Sequence, residues 1–200
     1  MRKAIFFDLD TQKDFMRRSG ALYVPEAEDI IPRIADLMEY AQDFRILVVS
    51  TVDTHVKDDP EFATFPPHCI KGTPGWEKIG GTLFEDRLEF PVNWRGQVPD
   101  DLMDRQQLIV EKGTYDPFSN AAMHEIADRI NKATCLLFGV ATDYCVRFCA
   151  LGLLEYKCRV NIILNATRPI RERTGREAIE EMKDKGAEFI TTAEVLKVAV

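Results

Sequence analysis

Leu136-Leu137-Phe138-Gly139-Val140-Ala141-Thr142-Asp143-Tyr144-Cys145-Val146 is an apolar, strand-like run that breaks at Gly139, with a cysteine just inside the predicted helix that follows. The same alternation extends in both directions. Residues 3–9, 45–51, 106–111, 134–140 and 159–164 are short runs rich in Ile, Val, Leu and Phe, which suit buried strands, and a short one follows at 188–190. Ile30, Ile31, Ile34, Leu37, Met38 and Ala41 recur at helical spacing, with Pro25 near the start. Further helices are predicted at 119–131, 143–156 and 173–185, with a last one near 192–199. This order, β-α-β and then repeated β-α, predicts an α/β fold. The expected form is a single-domain, doubly wound (Rossmann-like), mostly parallel sheet with helices on both faces, covering residues 1–200. Ligands of such sheets sit beyond the carboxyl ends of the strands. Three polar clusters follow three predicted strand ends here, so the topology alone gathers them on one rim.

Residues 53–104 break the rhythm. They hold six prolines, five glycines and several aromatics with little periodicity. Loops of this length inside a compact domain are functional or disordered. Phe62, Phe65, Trp76, Phe84, Phe90 and Trp94 favour packing over disorder. The expectation is an ordered loop region that lids or walls a site.

The 200 residues carry a net charge of −7, which argues against nucleic acid as a partner. No apolar run approaches the ~18 residues that cross a bilayer, so no membrane association is expected. The N-terminus runs straight towards a strand without a secretory cleavage pattern, and the expected location is cytoplasmic. Cys69, Cys135, Cys145, Cys149 and Cys158 lack paired metal-ligand spacing and are expected to be reduced thiols. Composition permits a monomer, a dimer or a larger homo-oligomer alike.

Cys145 stands where a helix N-terminus would favour a thiolate and hold a developing oxyanion. Asp8-Leu9-Asp10-Thr11-Gln12-Lys13-Asp14-Phe15 closes the first strand. A carboxylate there is either a general base for a neighbouring nucleophile or part of a solvated turn. Lys112, after the strand 106–111, is a solvated charge unless an acid and a thiol join it. In that company it tunes their proton affinities. Asp53 and His55 project to the same side of an extended chain, and Glu61 and His68 follow. Mixed imidazole and carboxylate donors suit Zn²⁺, Mn²⁺ or Fe²⁺; the alternative is a polar loop with incidental histidines. His124 falls in a predicted helix and reads as a surface residue.

Taken together, Asp10-x-Gln12-x-Asp14-Phe15, Lys112-Gly113 and Gly139-Val140-Ala141-Thr142-Asp143-Tyr144-Cys145-Val146 resemble the isochorismatase-like cysteine hydrolases. Asp53-x-His55 and Pro66-Pro67-His68-Cys69-x-x-Gly72-Thr73-Pro74-Gly75 are similar to the nicotinamidase (pyrazinamidase) branch. The resemblance runs from Ile5 to about Gly152, with the motifs in the family's order. It implies a triad of Asp10, Lys112 and Cys145, a cis peptide at Val140–Ala141, and an oxyanion hole from the backbone N–H groups of Ala141 and Cys145. It also implies one divalent metal ion, Zn²⁺ first and Mn²⁺ or Fe²⁺ as alternatives, on Asp53, His55, Glu61 and His68. Glu61 stands where many nicotinamidases have a histidine, and Asp58 or Asp59 could replace it. Phe15 and Phe65 match the aromatic positions that flank a pyridine ring. The implied activity is hydrolysis of a small-molecule amide, nicotinamide, through a cysteine thioester, with a place in NAD salvage. The rivals are a metal-independent amidase of the same superfamily acting on a carbamoyl or ureido group, isochorismate cleavage, and a non-enzymatic binding protein on the same scaffold.

Overall fold

The computed structural model describes residues 4–197. Seven strands form one sheet: β1 (Ile5–Leu9), β2 (Val48–Asp53), β3 (Arg87–Phe90), β4 (Gln107–Lys112), β5 (Thr134–Val140), β6 (Arg159–Arg168) and β7 (Glu188–Ile190). Their order is β3-β4-β2-β1-β5-β6-β7, and every neighbouring pair is parallel. The chain runs from β1 through β2 to the edge strand β3 and back to β4 on one side, then from β5 outward through β6 and β7 on the other, so the doubly wound expectation holds. The switch point lies between β1 and β5.

Alternation along β1 shows how both faces are covered. Phe6 enters a core built on α2 (Ala27–Asp43), where Ile30, Ile34, Leu37 and Met38 are buried. Phe7 and Leu9 enter the opposite core with Met123 and Ile126 of α3 (Ala121–Arg129), Leu153 of α4 (Arg147–Glu155) and Met182 of α5 (Glu172–Asp184). Each such large apolar side chain contributes about 1.5–3 kcal/mol when fully buried. The short helices α1 (Lys13–Met16) and α6 (Thr192–Leu196) complete the set. Residues 198 and 199 of the helix expected near 192–199, and residue 3 of the strand expected at 3–9, lie outside the described residues.

Three differences from the sequence reading have physical causes. The strand 134–140 does not break at Gly139. It passes through that glycine at φ 109°, and pairing with β6 shifts register between Leu137 and Gly139. A Cβ there would stand 2.1 Å from the Leu9 carbonyl oxygen, so only glycine lets β5 lie this close to β1. The expected helix 143–156 begins instead as a π-helical turn, Thr142–Val146, before α4. The segment 53–104 is ordered as expected, but it also contains the edge strand β3 and helical turns at Pro60–Ala63 and Asp100–Asp104. Four residues paired on one side carry too little apolar signal to be read as a strand.

Candidate active site

The central strands β4, β2, β1 and β5 end on one rim, and each delivers a polar group there. Lys112 closes β4 and Asp53 closes β2, directly opposite it in register. Asp10 follows β1, and Cys145 follows β5 in the π-helical turn. The cis peptide expected at Val140–Ala141 is present just before that turn.

The Lys112 ammonium, 1% exposed, is the hub. Its Nζ lies 2.9 Å from Asp10 Oδ2 and donates to Asp53 Oδ1 at 3.0 Å. Burial works against its charge, but Asp10 and Asp53 outweigh it and hold the ammonium well above the usual lysine range. Asp10 is wholly buried and accepts from Thr51 Oγ1 at 2.6 Å through its other oxygen. Burial also works to raise the Asp53 carboxyl. Lys112, His55 and His68 prevail, so that group is held below the ordinary carboxylate range.

Cys145 is half-buried and interacts directly with the Asp10 carboxyl and the Lys112 charge. Burial, and after it the Asp10 carboxylate, pushes this thiol well above its ordinary value, while Lys112 pulls less strongly the other way. Its surroundings therefore oppose the thiolate that a helix N-terminus alone would favour. Position 145 lies inside a π-helical turn, beside a carboxylate, and those two facts outweigh the helix dipole. Asp10 and Cys145 line the same cavity, an arrangement in which a carboxyl group can exchange a proton with a thiol.

Asp53, His55 and His68, all buried, bring three ligand atoms within 4.8 Å of one another. Both Nε2 atoms approach Asp53 Oδ2, at 3.0 Å for His55 and 3.1 Å for His68. His68 Nδ1 donates to the Pro66 carbonyl at 2.8 Å, which leaves Nε2 with its lone pair towards the cluster. Asp59 Oδ2 stands 3.0 Å from His55 Nδ1, at ion-pair distance. Electron-rich atoms so close together require a cation between them, whether protons or a metal ion. The donor set fits a borderline divalent ion.

Glu61 stands outside this group of ligand atoms, in the turn Pro60–Ala63. Its carboxyl is pushed up by burial and by the nearby Asp53 charge. Asp58 is exposed, and Asp59 is committed to His55 and to the Glu61 amide. Phe15 and Phe65 both pack on the His68 ring, at 5.5 and 6.3 Å between centroids. They line one cavity together with Asp10, Cys145, Tyr115 and Tyr144. His124 is exposed and meets the Tyr156 hydroxyl, away from the site.

Sequence reading misses several supporting groups. The Gln12 amide donates to the Asp53 and Trp76 carbonyls at 2.8 and 2.9 Å and accepts from the Asp53 N–H at 2.7 Å. Asp14 accepts from the Cys69 N–H at 2.8 Å and so anchors the segment bearing His68. Asp143 accepts from the Ile170 N–H and the Thr174 hydroxyl, tying the cysteine turn to the start of α5. Polar residues flanking a motif are the available signal, but their partners are remote in sequence.

An isochorismatase domain model matches residues 4–194. The nicotinamidase of Saccharomyces cerevisiae is 26% identical, with 88% of this chain and 92% of that protein covered. The nicotinamidase/pyrazinamidase of Mycobacterium tuberculosis is also 26% identical, with 92% and 97% covered. Among solved structures, the pyrazinamidase of Pyrococcus horikoshii in complex with zinc superposes with a TM-score of 0.74 at 28% identity, covering 94% of this chain and 98% of that one.

Proposed function

The chain belongs to the isochorismatase-domain family, and on that premise we propose that it hydrolyses nicotinamide to nicotinate and ammonia through a thioester on Cys145. At the coarser level it is a hydrolase of this family, acting on amides. The observation that carries the finer reading is the buried ammonium of Lys112, shared between Asp10 and Asp53. It joins an acid–thiol pair to a cluster of metal-ligating atoms, which neither a plain binding protein nor a metal-free amidase requires.

Asp10 takes the Cys145 proton as sulfur attacks the carboxamide carbon, and the carbonyl electron pair moves onto oxygen. The N–H groups of Ala141 and Cys145 receive that oxyanion, and one such donor is worth about 100-fold or more in rate. Collapse breaks the carbon–nitrogen bond, and Asp10 returns its proton to the departing ammonia. Asp10 then deprotonates water, which attacks the thioester. Nicotinate leaves and the thiol regains its proton. Lys112 keeps the buried carboxyl group oriented and offsets its charge throughout.

Asp53, His55 and His68 would hold the divalent ion, with Glu61 retained as the fourth candidate ligand. Zn²⁺ is preferred, with Mn²⁺ or Fe²⁺ as alternatives. When bound, the ion supplies a Lewis-acid anchor for the pyridine nitrogen, a templating role. Phe15 and Phe65 flank the flat ring.

Ammonia release from nicotinamide, with and without chelator, on the parent and on His68→Ala, tests the reading. Turnover that falls with chelator and in the variant supports it. Chelator-resistant ammonia release from a carbamoyl or ureido compound, with none from nicotinamide, would establish the metal-independent alternative instead.

A further inference from the structure

Behind the rim lies a buried ion pair that the chemistry above does not use. Asp8 points to the α2 side of β1 like Phe6, at the level where that apolar layer ends. It is wholly buried, and Lys78 Nζ, on a side chain only 3% exposed, lies 2.7 Å from its Oδ2. Thr11 Oγ1 donates to Asp8 Oδ1 at 2.8 Å and accepts from Lys78 Nζ at 2.8 Å. Ser50 of β2 donates to the second carboxylate oxygen at 3.0 Å. Each charge thus has a partner of opposite sign and at least one hydroxyl beside it.

This pair rivets two backbone segments together. Lys13 N–H donates to the Glu77 carbonyl and Ile79 N–H to the Thr11 carbonyl, each at 2.9 Å. Gln12 and Lys78 form an antiparallel bridge between them, and the Gln12 side chain reaches the Trp76 carbonyl. The corner held in this way begins at Asp10, whose φ of 51° lies in the left-handed region that a non-glycine residue occupies only when its surroundings impose it. It ends at Gln12, which grips the backbone of Asp53 on both sides.

We infer that Asp8 and Lys78 are positioning residues: their ion pair fixes the 76–79 segment against residues 11–13, and so sets Asp10 beside Cys145 and, through Gln12, Asp53 within its ligand cluster. Replacing a buried ion pair by apolar side chains of similar volume is often neutral for stability. Placement of the corner, rather than stability, is what the pair supplies. The inference rests on the proposed function for its kinetic readout only.

The experiment compares the parent with the paired variant Asp8→Leu/Lys78→Met. The expected result is a Tm close to the parent's, with kcat for ammonia release reduced by about 10–100-fold and KM within about twofold, as misplacement of a reacting group produces. Titration with Zn²⁺ against a chromophoric chelator is expected to show affinity about tenfold weaker, the size of a supporting-contact loss. The pH profile of Cys145 alkylation, read by mass spectrometry, is expected to move down as the Asp10 carboxylate loses its place beside the sulfur. Parent values for alkylation and metal affinity in the paired variant would overturn the inference. Should that variant fail to fold, Asp8→Asn/Lys78→Gln takes its place in the same three measurements, where the same shifts support the inference and parent values overturn it. If the parent releases no ammonia from any amide, the proposed function falls, while alkylation and metal titration still decide the role of the pair.

Discussion

Replacement of Lys112 by methionine keeps all but the last atom of the side chain's length and deletes the one charge shared by two buried carboxylates. Contacts of 2.9 and 3.0 Å to a single nitrogen bring the Asp10 and Asp53 oxygens within about 6 Å of each other. At an effective dielectric of about 20, their unscreened repulsion is about 3 kcal/mol. Breaking a buried ion pair by removing one partner costs about 3–5 kcal/mol, so Lys112→Met is expected to lose that much at pH 7 in metal-free protein. The loss depends on pH. In the parent, the folded-state Asp53 carboxyl is depressed, so its contribution is present above the ordinary aspartate value of about 3.9 and is lost as pH falls below it. In the variant, the carboxylates without their cation bind protons more readily when folded than unfolded. Their penalty is therefore absent at low pH and grows as pH rises. The stability gap between parent and variant should shrink as pH is lowered from 7 to 4. Urea denaturation with chelator present at both pH values measures it. A gap below about 1 kcal/mol at pH 7, or one that does not change with pH, would refute the role assigned to Lys112.

Other perturbations separate the remaining elements of the site. Gly139→Ala meets both a φ of 109° and the Leu9 carbonyl oxygen 2.1 Å from the new Cβ. A loss of more than about 3 kcal/mol in thermal or urea unfolding is expected, and a Tm within a few degrees of the parent would contradict it. In the metal-free protein, burial works against the charged His55 ring, but Asp53 and then Asp59 hold it up at about 9. Its stabilising contribution is therefore full below the unfolded value of about 6.5 and disappears as pH rises through the folded one. A metal ion must displace that proton, so apparent affinity in chelator competition should tighten about tenfold per pH unit from 7 towards 9, and a flat profile would contradict this. Asp59→Asn should weaken Zn²⁺ binding by about 10–100-fold and also lower the Tm of metal-free protein at pH 7, because the charged His55 ring loses an ion-pair partner. Unchanged affinity would leave Asp59 with no part in the site.

Much of this architecture is legible in the chain because its signals are local. Short apolar runs mark β1, β4 and β5, strands of five to seven residues, and the polar groups that close or follow them fall on the rim by topology alone. The segments bearing Asp10, Lys112 and Cys145 thus share one rim, while the choice of Asp10 over Asp8 and Asp14 comes from the family resemblance. The illegible parts depend on partners far apart in sequence. Nothing in the Gln12 side chain announces that it holds Asp53, 41 residues away. Asp8 looks like one more turn carboxylate until Lys78 arrives from the loop region. The upward push on the Cys145 thiol escapes a sequence reading for a related reason. The dipole of a helix is inferred from sequence, whereas burial and the approach of Asp10 are set by the tertiary structure. Glu61 is a candidate ligand only by the family resemblance, and the turn Pro60–Ala63 that sets its position is not something motif spacing records.

Acid-quenched mass spectrometry of the metal-loaded protein during turnover of nicotinamide addresses covalent chemistry at the rim most directly. The expected outcome is a transient increase by the mass of a nicotinoyl group less one hydrogen, mapped to the peptide containing Cys145 and absent in Cys145→Ala, which releases no ammonia. Ammonia release by Cys145→Ala at the parent rate, with no adduct in either protein, would contradict a covalent role for this sulfur.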